Sequence, residues 1–346
     1  MNTDGWKLVT RRLSKTFAFW SLQASPIASI MRSRSRQSGS PPLKTLLAPV
    51  LISALAAGSV AVAQSRPQPH RQPPRTDLSP LNDEFEGRSL DERWTLFHQR
   101  FGWADMIKAM DVGASVPGAL HLQPYDSAWV RDRVAPFLFQ TVEGDFDVRA
   151  RVRVRSAAGP IPGGTWSLGG LMARVPNGMS VSDWEPFREN WHFVTTGVGL
   201  ERGATVTETK GTYNSYSSLK LRPFGSGWVE LRLVRVGMTL FALARPEGGK
   251  WRVRDRFYRM EPNPHMQVGL IAYTSSDDVP PGPENAAATN RTVDRNARVD
   301  MLMDVDWIRY ARPRPDIIWD WREQVRIHPL ADPNLDEAAI LAALGD

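Results

Sequence analysis

Residues 145–155 read Asp145-Phe146-Asp147-Val148-Arg149-Ala150-Arg151-Val152-Arg153-Val154-Arg155. Phe146, Val148, Ala150, Val152 and Val154 share one parity, while Asp147 and four arginines hold the other. Successive side chains of an extended chain point to opposite faces, so this period of two predicts a half-buried strand with its arginine row in solvent. The neighbours in sequence repeat the pattern. Trp228–Gly237 alternates and stops at Gly237, Met238–Arg245 follows as its hairpin partner, and the turn Pro246-Glu247-Gly248-Gly249 precedes Trp251–Met260. Further strands are expected at Gly118–Leu122, Ala135–Thr141, Ser167–Val175, Trp191–Leu200, Ser218–Arg222, Met266–Thr274 and Val299–Tyr310. No helical periodicity alternates with them, which disfavours a βαβ sheet. The expected fold is all-β: a two-sheet antiparallel β-sandwich of the jelly-roll kind, with a short C-terminal helical tail.

The flanks differ in texture. Residues 45–63 form an uncharged run that follows Arg32, Arg34, Arg36 and Lys44 and ends Ala61-Val62-Ala63. Basic region, apolar region and small-residue exit are the order of an export signal, so residues 31–63 read as a signal peptide starting at Met31, and residues 1–30 as an upstream overextension. Residues 64–80 hold five prolines and read as an extended linker. The sandwich is expected over 81–311. Residues 312–346 form an extension that packs back on it, with a helix over Asn334–Leu344 capped by Asn334 or Asp332 and ended by Gly345. Asn177–Asn190 and Ser275–Asn296 read as long surface loops.

Composition excludes several classes. The chain has 346 residues and no cysteine, so disulfides, thiol nucleophiles and thiolate metal sites are ruled out. It carries 43 Lys and Arg against 37 Asp and Glu, but residues 1–63 contain eight of the basic and one of the acidic residues. The exported remainder is near neutral and offers no polyanion surface, so nucleic acid is not an expected partner. The expected location is periplasmic or secreted in a bacterium, without stable membrane insertion after cleavage. Asn290-Arg291-Thr292 fits a glycosylation acceptor. Oligomeric state is not fixed by these patterns.

Several segments carry a resemblance. Asp83-Glu84-Phe85-Glu86-Gly87 followed by Leu90-Asp91 and Trp94, then Gly144-Asp145-Phe146, Gly169-Gly170-Leu171-Met172-Ala173-Arg174, Val268-Gly269-Leu270 and Val305-Asp306-Trp307 occur in the order found in concanavalin A-like sandwich domains. The region 81–311 resembles the concanavalin A-like lectin/glucanase superfamily, and within it DUF1349-like domains and the accessory C-terminal sandwich of family 43 xylosidases. What the resemblance implies is a carbohydrate-associated role, and a structural calcium ion at Asp304 and Asp306, whose oxygen donors suit a hard cation.

Chemistry is sparse. Catalytic relatives in family 16 carry an E-x-D-x-E strand, and the nearest match is Glu143-Gly144-Asp145-Phe146-Asp147, whose last acid is Asp and whose register continues into the arginine row. No H-E-x-x-H, G-x-S-x-G or phosphate-loop pattern occurs. Tryptophan is the best functional clue, with 13 in the chain. Indoles stack on sugar rings while nearby polar groups bind hydroxyls. Trp129 with Arg131, and Trp184 with Asp183, are the expected ligand-binding residues, with His192 as a further candidate on its strand. The leading expectation is an exported carbohydrate-binding protein with a glycan or oligosaccharide partner and no evident catalytic set. The alternatives are a glycoside hydrolase or polysaccharide lyase using cleft carboxylates, and a non-catalytic envelope structural or interaction protein.

Overall fold

The computed structural model describes residues 76–258, 263–275, 283–314 and 329–345. The signal, the overextension and the Trp319–Trp321 stretch lie outside the described residues. The strands, in chain order, are β1 (Thr95–Leu96), β2 (Ile107–Val112), β3 (Leu120–Pro124), β4 (Phe137–Glu143), β5 (Phe146–Arg155), β6 (Ser167–Arg174), β7 (Trp191–Val198), β8 (Thr205–Tyr213), β9 (Tyr216–Pro223), β10 (Trp228–Val236), β11 (Thr239–Pro246), β12 (Arg252–Tyr258), β13 (His265–Thr274) and β14 (Leu302–Ala311). Three helices accompany them: α1 (Phe97–Phe101), α2 (Pro283–Asn290) and α3 (Glu337–Leu344). Two seven-stranded sheets result, one ordered β1-β4-β13-β6-β7-β8-β9 (sheet I) and the other β12-β11-β10-β5-β14-β3-β2 (sheet II). Each pair of neighbouring strands in these sheets is antiparallel. The all-β sandwich expected from the alternating strands is the observed architecture.

β5 sits at the centre of sheet II between β10 and β14, with Val152 opposite Val229 and Ala150 opposite Leu231. Its apolar parity enters the core between the sheets, where Phe146, Val148 and Val152 join Leu171, Val194, Val268 and Leu270 of sheet I. The arginine parity lies on the outer face, where it is paired as well as solvated. Arg149 binds Asp147, Arg151 binds Asp306 and Glu247, and Arg153 and Arg155 both bind Asp304.

Sheet I behaves differently, because both its faces are covered. β6 and β7 are buried at every position. Their outer parity, with that of β4 and β13, builds a second cluster of Phe137, Phe139, Leu168, Met172, Trp191, Phe193, Ile271 and Tyr273, closed over by Phe97 of α1 with Trp103 and Trp129. Continuous apolar runs of this kind belong to strands buried on two sides.

α3 lies on the outer face of sheet II, its Ile340 and Leu344 packed with Val234, Val236, Phe241, Leu243 and Trp251. Its cap is Asp336, whose side chain accepts from Ala339 N–H, so the helix starts later than Asn334 or Asp332 would place it. The folded region begins a little earlier than residue 81: Leu78 is already in the core and Ser79–Leu81 form a 3-10 turn. Among the described residues no helix is long and apolar enough to cross a membrane.

Candidate functional site

The two loops singled out by their tryptophans do meet. Phe187 N–H donates to Asp132 Oδ1 at 3.0 Å, joining the 125–136 loop to the 176–190 loop over sheet I. The β8–β9 hairpin completes the cluster. Ser215 Oγ donates to the same Asp132 oxygen, Glu189 N–H donates to Ser215 Oγ at 3.1 Å, and Ser215 N–H donates to Glu189 O at 2.8 Å. Arg131 N–H donates to Ser217 Oγ at 2.8 Å, and that hydroxyl is 2.7 Å from Thr212 Oγ1.

Backbone strain concentrates at this junction. Six non-glycine residues have positive φ among the described residues, and four of them are here: Arg131 (54°), Phe187 (63°), Asn214 (45°) and Ser215 (63°). Left-handed backbone costs a bulky residue on the order of 1–3 kcal/mol and persists only where the surroundings impose it. At Asn214 and Ser215 the cause is the two-residue hairpin turn, which needs positive φ at both central positions. At Phe187 the turn chemistry offers no such reason. The conformation aims its ring outward, where it stacks on Tyr216 with centroids 6.1 Å apart and planes at 19°. Both rings are open to solvent, Phe187 45% and Tyr216 74% exposed.

Asp132 anchors the junction from below. Burial pushes its carboxyl above the usual carboxylate range, and the hydrogen bonds from Ser215 and Phe187 only partly oppose this. Its Oδ2 is buried without a hydrogen-bond partner, so no solute reaches it. Deeper in, Arg174 forms a bidentate pair with Glu189 at 2.8 and 2.6 Å and donates to Gln267 at 2.8 Å. Lys210 pairs with Glu208 at 3.0 Å and donates to Trp129 O at 3.0 Å, while Tyr273 O–H donates to Glu208. These groups hold one another beneath the aromatic cluster and present no open carboxylate pair.

The individual expectations fare unevenly. Trp129 is fully buried, edge-on to Trp191 at 5.9 Å, so its ring has no free face to offer a sugar. Trp184 is half-buried and sits edge-on to Trp103 at 6.4 Å. Asp183 is exposed, and its carboxylate is held low by hydrogen bonds from Ser180 in its own turn. Arg131 is half-buried at the strained junction. His192 points the other way, between the sheets, its ring 4.5 Å from that of Phe257. The stacked solvent-facing pair is Phe187 and Tyr216, with Tyr213 also exposed at the same hairpin, and tryptophan counting points to none of them.

Other expectations are corrected outright. Glu143 ends β4 in sheet I whereas Asp147 belongs to β5 in sheet II, so the E-x-D-x-E-like segment bends between sheets at Gly144 and cannot align three carboxyls. Asp304 and Asp306, the carboxylates expected to hold calcium, are engaged by basic side chains. Asp304 is filled by His121 at 2.8 Å, Arg153 at 2.8 Å and Arg155 at 2.8 Å, and Asp306 is taken by Arg151 at 2.8 Å. Among the described residues no group of three or more His, Asp or Glu is placed to hold a metal ion. Asn290 cannot accept a glycan in the folded chain. It is fully buried, with Oδ1 accepting from Val134 N–H at 3.0 Å and Nδ2 donating to Asp132 O at 2.8 Å.

No protein-family profile matches the sequence, and no curated protein matches it either. Solved structures with a similar sandwich include a protein of unknown function from Saccharomyces cerevisiae, at 15% identity and TM-score 0.43, covering 61% of this chain and 95% of that one. A family 43 glycoside hydrolase from Bacillus licheniformis aligns at 12% identity and TM-score 0.45, covering 67% and 39%. A xylan β-1,4-xylosidase from Bacillus halodurans aligns at 13% identity and TM-score 0.43, covering 72% and 41%. The chain thus spans about two fifths of each Bacillus enzyme. Likeness at this level carries no activity with it.

Proposed function

We propose that this chain is an exported, non-catalytic carbohydrate-binding β-sandwich whose sugar platform is the stacked pair Phe187 and Tyr216. The observation that carries the reading is the exposure of that pair on strained, densely hydrogen-bonded backbone. Two solvent-facing rings stacked on each other offer outward apolar surface on which pyranose C–H faces stack. Arg131 and Asn214, at the same junction, supply polar groups for hydroxyls. Export is supported by the order of basic, apolar and small-residue segments over 31–63.

The outer face of sheet I is filled by aromatic side chains, Trp129 among them. That favours a second reading, a protein-interaction module using the exposed edge strand β9 with Tyr216 and Leu219, next to Tyr213 at the end of β8. One experiment separates the two. The secreted chain is titrated with a panel of neutral and acidic oligosaccharides, alongside Phe187→Ala and Tyr216→Ala. A stacking contribution of about 0.5–1.5 kcal/mol per ring predicts weakening up to about tenfold for each variant, with melting temperature preserved. No binding by the wild type, or equal binding by both variants, would overturn the sugar reading.

A further inference from the structure

At the opposite end of sheet I from the aromatic pair, where β6 begins and β7 ends, a cleft of about 330 Å³ opens between the 156–166 loop and the segment entering β14. Gly163, Thr165, Arg202, Arg298 and Asp300 are among the residues that line it. Its construction is specific. Gly163 N–H donates to Asp300 O at 3.1 Å and Ala157 N–H donates to Asp300 Oδ1 at 2.9 Å, so the loop is pinned around the Asp300 side chain. A Cβ on Gly163 would stand 2.7 Å from Asp300 Oδ2, so the space exists because this residue is glycine. Trp166, at the rim, adopts φ of 49°, one of the two strained non-glycine positions outside the aromatic junction.

The charges are unequal. Arg202 donates only to Gly163 O at 3.0 Å, a neutral acceptor, and the Arg298 guanidinium has no hydrogen-bond or ion-pair partner among the described residues. Along β5, by contrast, each outward-facing arginine is matched by a carboxylate. Two guanidinia against one carboxylate leave the cleft with a positive excess, and planar guanidinium forks match oxyanions. Asp300 and the hydroxyl of the half-buried Thr165 add short polar groups of the kind that bind alcohols.

We propose that this cleft binds an oxyanion carried on a polyhydroxylated body, a sugar acid or a sugar phosphate. The site is independent of the Phe187–Tyr216 platform and stands or falls apart from it.

The test is calorimetric titration of the full secreted chain with glucuronate, glucose 6-phosphate, glucose and inorganic phosphate. Binding of glucuronate or of glucose 6-phosphate identifies the source of the anion, and glucose is expected at least tenfold weaker. Arg298→Ala and Arg202→Ala each weaken the favoured ligand at least tenfold, Gly163→Ala weakens it by crowding Asp300, and Lys108→Ala, which removes an exposed charge elsewhere, leaves it unchanged. Melting curves confirm that each variant is folded. The proposal is overturned if neither anion binds, if glucose binds as well as they do, if inorganic phosphate matches glucose 6-phosphate, or if the arginine variants bind like the wild type.

Discussion

Asp132 uses one carboxylate oxygen for two donors and buries the other with none. An acid whose folded pKa is raised favours its neutral form in the native state. Its charge therefore costs stability once the pH exceeds the unfolded value near 3.8, and the cost is complete above the raised folded value. Asp132→Asn keeps Oδ1 for Phe187 and Ser215 while removing the charge. It is expected to match or exceed wild-type stability at pH 7, by up to about 1 kcal/mol, with the gain shrinking at pH 4. Asp132→Ala strands both donors and should cost about 1–3 kcal/mol. Urea unfolding of the three proteins at both pH values checks this; an Asn variant as unstable as the Ala variant would show that the charge is needed.

At the scale of elements, the C-terminal end of α3 is tied to sheet II by a buried guanidinium, while Glu337 at its start binds Arg252 and Val253 N–H. Arg232 on β10 is fully buried, binds Asp147 at 2.9 and 2.7 Å, and donates to Gly345 O at 2.6 Å and Leu344 O at 3.1 Å at the helix end. Arg232→Ala leaves Asp147 with only Arg149 and unties the helix. A loss of about 3–5 kcal/mol is expected, together with faster amide exchange across α3 and exposure of Trp251 in fluorescence. Unchanged exchange in α3 would mean that the packing of Ile340 and Leu344 and the Glu337 contacts hold it without Arg232. The strands that sequence missed fail for a related reason. β8 reads Thr205-Val206-Thr207-Glu208-Thr209-Lys210-Gly211-Thr212-Tyr213, too polar to register as a core strand. Its Glu208 and Lys210 are nonetheless buried, because they neutralise each other beneath Trp129. Only the run of β-branched threonines hinted at a strand. α2 was likewise read as loop, since Ala286–Ala288 sit among polar residues and its anchoring comes from Asn290. β5 is legible because it shows one face to the core and carries the alternation itself, and β10 and β11 because Gly237 and the Pro246–Gly249 turn bound them.

Across the whole molecule the two sheets differ in how they meet solvent, and that difference governs what could be foreseen. Two-sided burial of sheet I gives continuous apolar strands, from which no periodicity reveals that loops close over the outer face. Tryptophans that sequence assigns to a ligand surface therefore became part of a second core, and the exposed rings came from a loop and a hairpin instead. Sheet II is joined by charge. Asp304 on β14 ties β3 through His121 and β5 through Arg153 and Arg155, and it is fully buried. Burial alone would raise its pKa, but the hydrogen bonds from His121, Arg155 and Arg153 outweigh this and hold it well below the usual carboxylate range. A depressed folded pKa contributes stability above the unfolded value near 3.8 that is lost as the pH falls through the folded one. Asp304→Asn should then cost about 3–5 kcal/mol at pH 6, because two guanidinia lose their shared anion in a buried setting. The difference from wild type should narrow as the pH approaches 2, where the native protein begins to lose the same charge. Unfolding free energies of both proteins measured from pH 6 down to pH 2 decide the matter: a gap independent of pH would mean that Asp304 holds the three strands together by shape and hydrogen bonding, with its charge contributing nothing.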